Sequence, residues 1–280
     1  MKRGHRAGLP RLIALTIVAI SLANQAPLVT LAHAEDEAAL QKYLPTGRHR
    51  IDLSYTRYDS FVGDVYVFLP SYTWAPRRNM RLNITGSYVS NDNPAIPGLG
   101  IPETQERGFG DTQFGVQYDP SESLTASPWV PDTLGLNATL IAPTGDADKG
   151  LGSDTWFVRV GAGWPLDSVS HLWLVPAVGY ETTFAEGAHA NPSEKLDASI
   201  DFMWWFESGA WIAAAPRIGY EFETREWVDD FTITIGKMFD SGFGLSFDYG
   251  SIEQINPNAF RDDESLLVNF YYQFGRPPGE

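Results

Sequence analysis

The sequence predicts an all-β fold: a closed antiparallel transmembrane β-barrel of about twelve strands, behind a cleaved signal peptide. Three observations predict it. Hydrophobicity alternates with period 2 in segment after segment, as in strands with two different faces. The apolar positions of these segments are rich in Phe, Trp and Tyr, while the positions between them carry an unusual number of charges. The links between segments alternate short with long, as they do between the two rims of an outer-membrane barrel. A soluble sandwich would also alternate, with one buried face, but it would not load that face with aromatics while charging the other.

The elements follow in chain order. Lys2, Arg3, Arg6 and Arg11 precede a short apolar stretch, Leu12 to Ala23, that is too short to span a bilayer. Ala32-His33-Ala34 is a small-x-small site with Glu35-Asp36-Glu37 directly after it, so residues 1–34 read as a secretory signal peptide. Residues 35–46 read as a periplasmic segment, 47–274 as the barrel and 275–280 as a C-terminal tail. Alternating segments begin near Arg48, Val62, Asn79, Phe109, Thr133, Ser153, His171, Leu196, Ala210, Phe231, Phe243 and Ser265. In the last, Leu266, Val268, Phe270, Tyr272 and Phe274 face one way and Leu267, Asn269, Tyr271 and Gln273 the other. Val62 to Trp74 is nearly continuous in apolar residues, which leaves its facing open.

Short links fall at Pro76 to Arg78, Leu166 to Ser170, Glu207 to Gly209 and Asp240 to Gly242. Longer ones fall at Asn91 to Gly108, Pro143 to Gly152, Ala185 to Lys195, Arg225 to Asp230 and Ile255 to Glu264. Two links break the alternation, the short one at Ser60–Phe61 and the long one at Pro120 to Asp132. Trp74, Trp164, Trp173, Trp204 and Trp211 fall near the periplasmic rim, where an interfacial aromatic girdle belongs.

Composition removes several classes of function. The 280 residues include no Cys, which excludes disulfides, thiolate metal sites, a Cys nucleophile and a lipidated Cys. With 20 Lys+Arg against 35 Asp+Glu the net charge is −15, the wrong sign for a nucleic-acid partner. Removal of residues 1–34 takes away four bases and no acid, so the exported chain is more acidic still. A mean hydropathy of −0.20 is too polar for a helical membrane protein, yet 13% aromatic residues is high for a soluble one. Alternate lipid and lumen faces reconcile the two.

Two stretches carry a family resemblance. Gly108 to Tyr118, with Gly110-Asp111 at its start, and Pro143-Thr144-Gly145-Asp146 followed by Gly150 to Asp154 resemble landmarks of a family of outer-membrane transporters linked to the meta pathway of phenol degradation. The final strand, with Phe270, Tyr272 and Phe274, resembles the signal that outer-membrane proteins present to the barrel assembly machinery; the tail after Phe274 departs from that pattern. The resemblance implies transport across the outer membrane of a Gram-negative bacterium and says little about cargo. It leads to the expectation of a passive transporter or channel for small solutes, aromatic or hydrophobic ones among them. The competing expectation is a structural or adhesive barrel that binds partners through acidic loops.

Period-2 phasing places Asp52, Arg81, Arg159, Glu181, Asp197, Asp201, Arg217, Glu221 and Asp248 in the lumen, with Asn83, Gln113, Gln117, Asn137, Asn269 and Gln273 beside them. Buried charges need partners, so the three arginines should pair with some of the acids. Such a network either rigidifies the barrel or constricts it, and its acid surplus would favour cations or neutral solutes. No cofactor, metal or catalytic residue is expected. His49, His171 and His189 show no Ser–His constellation, even with Ser170 beside His171. Asp146-Ala147-Asp148-Lys149-Gly150 imitates the start of a calcium loop without its bidentate Glu, and reads as a solvated loop. Outer-loop acids (Glu103, Glu106, Asp229, Asp230, Asp262, Asp263 and Glu264) could share divalent cations with lipopolysaccharide. Expected partners are thus outer-membrane lipid and lipopolysaccharide, the assembly machinery and a small solute.

Overall fold

Twelve strands close on themselves in the computed structural model, which describes residues 48–60, 63–77, 79–93, 104–119, 134–149, 151–164, 166–169, 172–186, 194–206, 208–239, 241–254 and 262–275. The signal peptide, the 35–46 segment, nearly all of the C-terminal tail, the 120–132 turn, His171 and His189 lie outside these residues. The strands are β1 (His49–Ser60), β2 (Gly63–Arg77), β3 (Met80–Thr85 and Tyr88–Asn93), β4 (Thr104–Phe109 and Thr112–Tyr118), β5 (Gly135–Ala142) and β6 (Thr155–Gly163 and Leu166–Val169). They continue as β7 (Leu172–Glu186), β8 (Glu194–Trp205), β9 (Ala210–Glu221), β10 (Glu226–Met238), β11 (Phe243–Gln254) and β12 (Asp262–Phe274). Each pairs antiparallel with its chain neighbours, and β1 closes the circle by pairing with β12 from His49 opposite Phe274 to Asp59 opposite Glu264. Closure satisfies the backbone without leaving a free sheet edge around the wall, which is what a strand-built membrane span requires.

The packing is inside out. Ile51, Leu53, Ile84, Val160, Ile200, Phe202, Ile212, Ile218, Ile233, Phe247 and Phe270 all stand on the outer face, exposed. The residues between them on the same strands, such as Ser54, Thr56, Arg159, Asp197 and Asn269, are buried inside. A water-soluble fold cannot carry a continuous apolar exterior of this size; in a bilayer the same face is solvated by lipid. The folded barrel should therefore run compact on a denaturing gel until boiled, and unchanged mobility on heating would contradict the fold.

Prolines punctuate the wall. Pro70 accepts from the Gly86 amide at 3.0 Å but has no N–H to return, and β3 breaks there at Gly86–Ser87. Pro176 likewise accepts from the Trp164 amide at 3.1 Å, opposite the break in β6. At Pro216 the β8–β9 ladder skips from Ser199–Arg217 to Phe202–Ala214.

The structure changes three sequence expectations. The long loops are shorter than the alternation suggested: β3 runs on to Asn93, β4 begins at Thr104, β10 at Glu226 and β12 at Asp262. Asp230 is therefore a wall residue pointing inward, not a loop acid, and Lys195 moves from a loop end to the lumen. Trp211 does not join the girdle. It shares the phase of Arg217 and Glu221 and lies in the lumen, 2% exposed, while Trp74 and Trp204 do face outward. The facing of β2 is also decided: Val65, Val67 and Leu69 point inward and Phe68, Tyr72 and Trp74 outward.

Candidate functional site

The lumen holds the chemistry. Asp52, Arg81, Arg159, Glu181, Asp197, Asp201, Arg217, Glu221 and Asp248 occupy inward positions and are buried, and Arg50, Lys195 and Asp230 join them. Arg50 carried a usable signal, because it shares the phase of Asp52 two residues on. With these additions the buried charges among the described residues number seven acids and five bases. The acid surplus shrinks to two, so the lumen is closer to neutral than the overall composition suggests.

Cross-strand register brings opposite charges together. Arg159, Glu181, Lys195 and Glu221 are successive directly opposed neighbours across β6, β7, β8 and β9, and their signs alternate. Arg159 also reaches diagonally to Asp197, its Nη2 donating to the two carboxylate oxygens at 3.0 and 2.9 Å. Arg217 stands directly opposite Asp230, with Nη1 and Oδ2 3.7 Å apart. Ions removed from water cost several kcal/mol each unless paired, so this band is arranged to spend its charges on one another.

Toward the rim where β1 begins and β12 ends, two aromatic side chains cover glycines: Trp211 over Gly236 and Tyr271 over Gly244. The Arg50 guanidinium sits 4.2 Å from the centre of the Tyr271 ring and its Nε donates to Asp52 at 2.8 Å. Ser54 donates to Asn269 at 3.0 Å across the β1–β12 seam. On the outer face of this rim His49 stacks between Trp74 and Phe274, and its Nδ1 lies 2.6 Å from the Tyr72 hydroxyl. That is the role the structure shows for the one described histidine the sequence offered.

Toward the other rim, the side of the lumen formed by β12, β1, β2 and β3 is apolar. Tyr58, Val65, Val67, Leu69, Val89 and Leu267 form a buried cluster around Leu151, which comes from the link between β5 and β6. That link is tied down by the residues that carried the family resemblance. Two residues of β3, Gly86 and Ser87, face three of β4, Gly110, Asp111 and Thr112, so β4 bulges there and its phase flips. Phe109 and Phe114 both face outward as a result, and Asp111 turns away from the ladder. Its carboxylate accepts from the Gly145 amide at 3.0 Å, the Ser153 amide at 2.8 Å and the Ser153 hydroxyl at 2.6 Å. Thr144 donates to the Gly110 carbonyl at 3.2 Å. A Cβ at Gly110 would lie 2.9 Å from the Leu151 carbonyl, and one at Gly145 2.7 Å from the same atom, so both positions must be glycine for the link to seat. Pro143 leads the chain out of β5 into this link.

Asp146 lies at the exposed outer end of the link, where Lys149 Nζ sits 2.9 Å from its carboxylate and holds that carboxyl below its ordinary range. A depressed carboxyl stabilises the folded state above the ordinary carboxylate range, and the contribution disappears as pH falls through the lowered value. Acid should therefore loosen the tip of the link as pH falls through that lowered value, as amide exchange over 146–149 would show. Among the described residues no group of three or more His, Cys, Asp or Glu side chains could hold a metal ion, and Asp146 to Lys149 forms a single tight turn.

A closed antiparallel barrel with lipid-facing aromatics and a polar, ion-paired lumen defines an outer-membrane β-barrel protein, and this chain is one. No family model matches it, and no curated protein matches it in sequence. Its likeness is to solved structures. An outer membrane channel from Pseudomonas putida F1 superposes with a TM-score of 0.59 at 16% identity, covering 82% of this chain and 97% of that one. The NanC porin superposes with a TM-score of 0.50 at 9% identity, covering 79% and 98%. At these identities the likeness establishes the fold.

Proposed function

We propose that the chain is a passive outer-membrane channel for small solutes, with small aromatic or hydrophobic compounds among them. The observation that carries this reading is the division of the lumen. A self-paired charge band lines the β6–β9 side of the lumen and an apolar cluster lines the side formed by β12, β1, β2 and β3. Eight strands leave an interior that side chains fill and sixteen to eighteen leave an open aqueous channel, so twelve suit a narrow, selective path. The resemblance to transporters of the phenol meta pathway points the same way for transport. Phe270, Tyr272 and Phe274 stand on the outer face of β12, where the assembly machinery would read them, and the acidic outer rim suits cation-bridged lipopolysaccharide. No catalytic role is assigned.

Reconstituted in a planar bilayer, the protein should conduct with a weak preference for cations, reflecting seven buried acids against five bases. A reversal potential showing anion preference would overturn the acidic-lumen assignment. Cells deleted for the protein should take up small solutes more slowly. Unchanged uptake of every solute tried, together with lost surface adhesion, would favour an adhesive barrel instead.

A further inference from the structure

We infer that the apolar cluster formed by Tyr58, Val65, Val67, Leu69, Val89 and Leu267 is a binding station for small, neutral aromatic or aliphatic solutes, and that Leu151 occupies it in the resting state. This rests on the channel reading above and deepens it, by naming the residues that would select apolar cargo.

The argument starts from where these side chains point. All six stand on inward positions, on strands whose neighbouring inward residues are mostly polar, Ser54, Thr56, Ser71, Asn91 and Asn269 among them. Apolar side chains facing an aqueous lumen gain nothing from water, so a cluster of six there calls for a partner that removes it from water. The partner present is a single side chain on a link rather than a wall strand, and Leu151 is 2% exposed against the cluster. A leucine side chain resembles a small hydrocarbon in size and chemistry, which makes it a stand-in for such a ligand.

The restraint on Leu151 is polar and separate from the station. Asp111 holds the link by its bonds to Gly145 and Ser153, on either side of Leu151 in sequence. Those bonds belong to the wall, at the β4 bulge, so releasing them frees the leucine without dismantling the cluster. Gly108 sets the other contact: a Cβ there would lie 2.7 Å from the Leu151 Cδ1, so the leucine leans on the wall backbone itself. The link thus has an apolar anchor and a polar latch, the ties at Asp111 and Thr144, and a solute that competes for the first works against the second.

The absence of cysteine makes a clean test possible. In Gly108→Cys/Leu151→Cys, oxidation would tether the link to the wall and reduction would release it, within one and the same folded protein. Cells lacking the native copy would carry wild type, this pair or Asp111→Ala, with barrel level read from the heat-modifiable band. The probes are radiolabelled benzyl alcohol, neutral and aromatic, and xylose, neutral and polar. Oxidation of the pair should lower benzyl alcohol uptake about tenfold, with recovery on reduction, while xylose changes far less. Asp111→Ala should raise benzyl alcohol uptake several-fold, by weakening the latch. Equal uptake by the oxidised and reduced pair would overturn the station. So would xylose falling in parallel, since the link would then be a general plug. Wild-type cells that admit neither probe faster than deleted cells would instead sink the channel reading itself.

Discussion

Replacing Arg159 with Leu should cost the barrel about 3–5 kcal/mol, because it strands the Asp197 carboxylate, both of whose oxygens accept from Arg159 Nη2, in a site only 5% exposed. The cost comes from desolvation rather than from the pair's own attraction. Asp197 would have to stay ionised without a counter-charge or take up a proton, and each is expensive in that setting. Replacing both partners, as Arg159→Leu/Asp197→Leu, should recover most of the loss, since a buried pair exchanged for apolar side chains is often neutral or stabilising. Urea unfolding in detergent micelles, followed by intrinsic fluorescence, would measure all three proteins. A double variant as unstable as the single one would show that the stranded Asp197 carboxylate is not the source of the cost. Arg217→Leu should cost less, because its contact with Asp230 is longer at 3.7 Å.

Gly244→Val should be comparably damaging for a steric reason. A Cβ at Gly244 would sit 1.9 Å from Cζ of Tyr271, inside the ring, so the tyrosine would have to leave the wall. Its departure would take away the Arg50 cation–π contact, beside the seam that closes β1 on β12. Overpacking costs about 1–3 kcal/mol, with the lost cation–π contact added to it. The signature to look for is a lower midpoint of heat-modifiability and slower barrel closure on refolding. Tyr271→Ala in the same chain should restore folding, since it clears the space the valine needs; if it does not, the glycine matters for another reason. Gly236→Val beneath Trp211, where the Cβ would fall 2.4 Å from Cε2, should behave in the same way.

These two sites show how legible the molecule was from its residues. The charge band could be read in advance where phasing was unbroken: on β8 and β9, Asp197, Asp201, Arg217 and Glu221 follow period 2 without interruption. Lys195 and Asp230 escaped because β8 and β10 begin earlier than the alternation showed, and local pattern cannot say how far hydrogen bonding to the neighbour extends a strand. Trp211 was misplaced for a related reason. A tryptophan near a rim suits a girdle on average, but its phase along β9 had already committed it to the inside. The latch was half visible, since Gly110, Asp111 and Gly145 stood out as motif residues. Their purpose was hidden, because no spacing rule reveals that Asp111 and Ser153 meet across two strands and a bulge.

The sequence by itself determined the barrel, its strand number, its lipid-facing surface and most of its buried charges. All of these follow from alternation along single strands, a property each segment carries alone. Only the tertiary structure decided which charges oppose which, where β4 shifts phase, and that a leucine from the β5–β6 link fills an apolar hollow in the lumen. Those facts depend on the register between strands and on the path of a link through space, and neither is set until the circle of strands has closed.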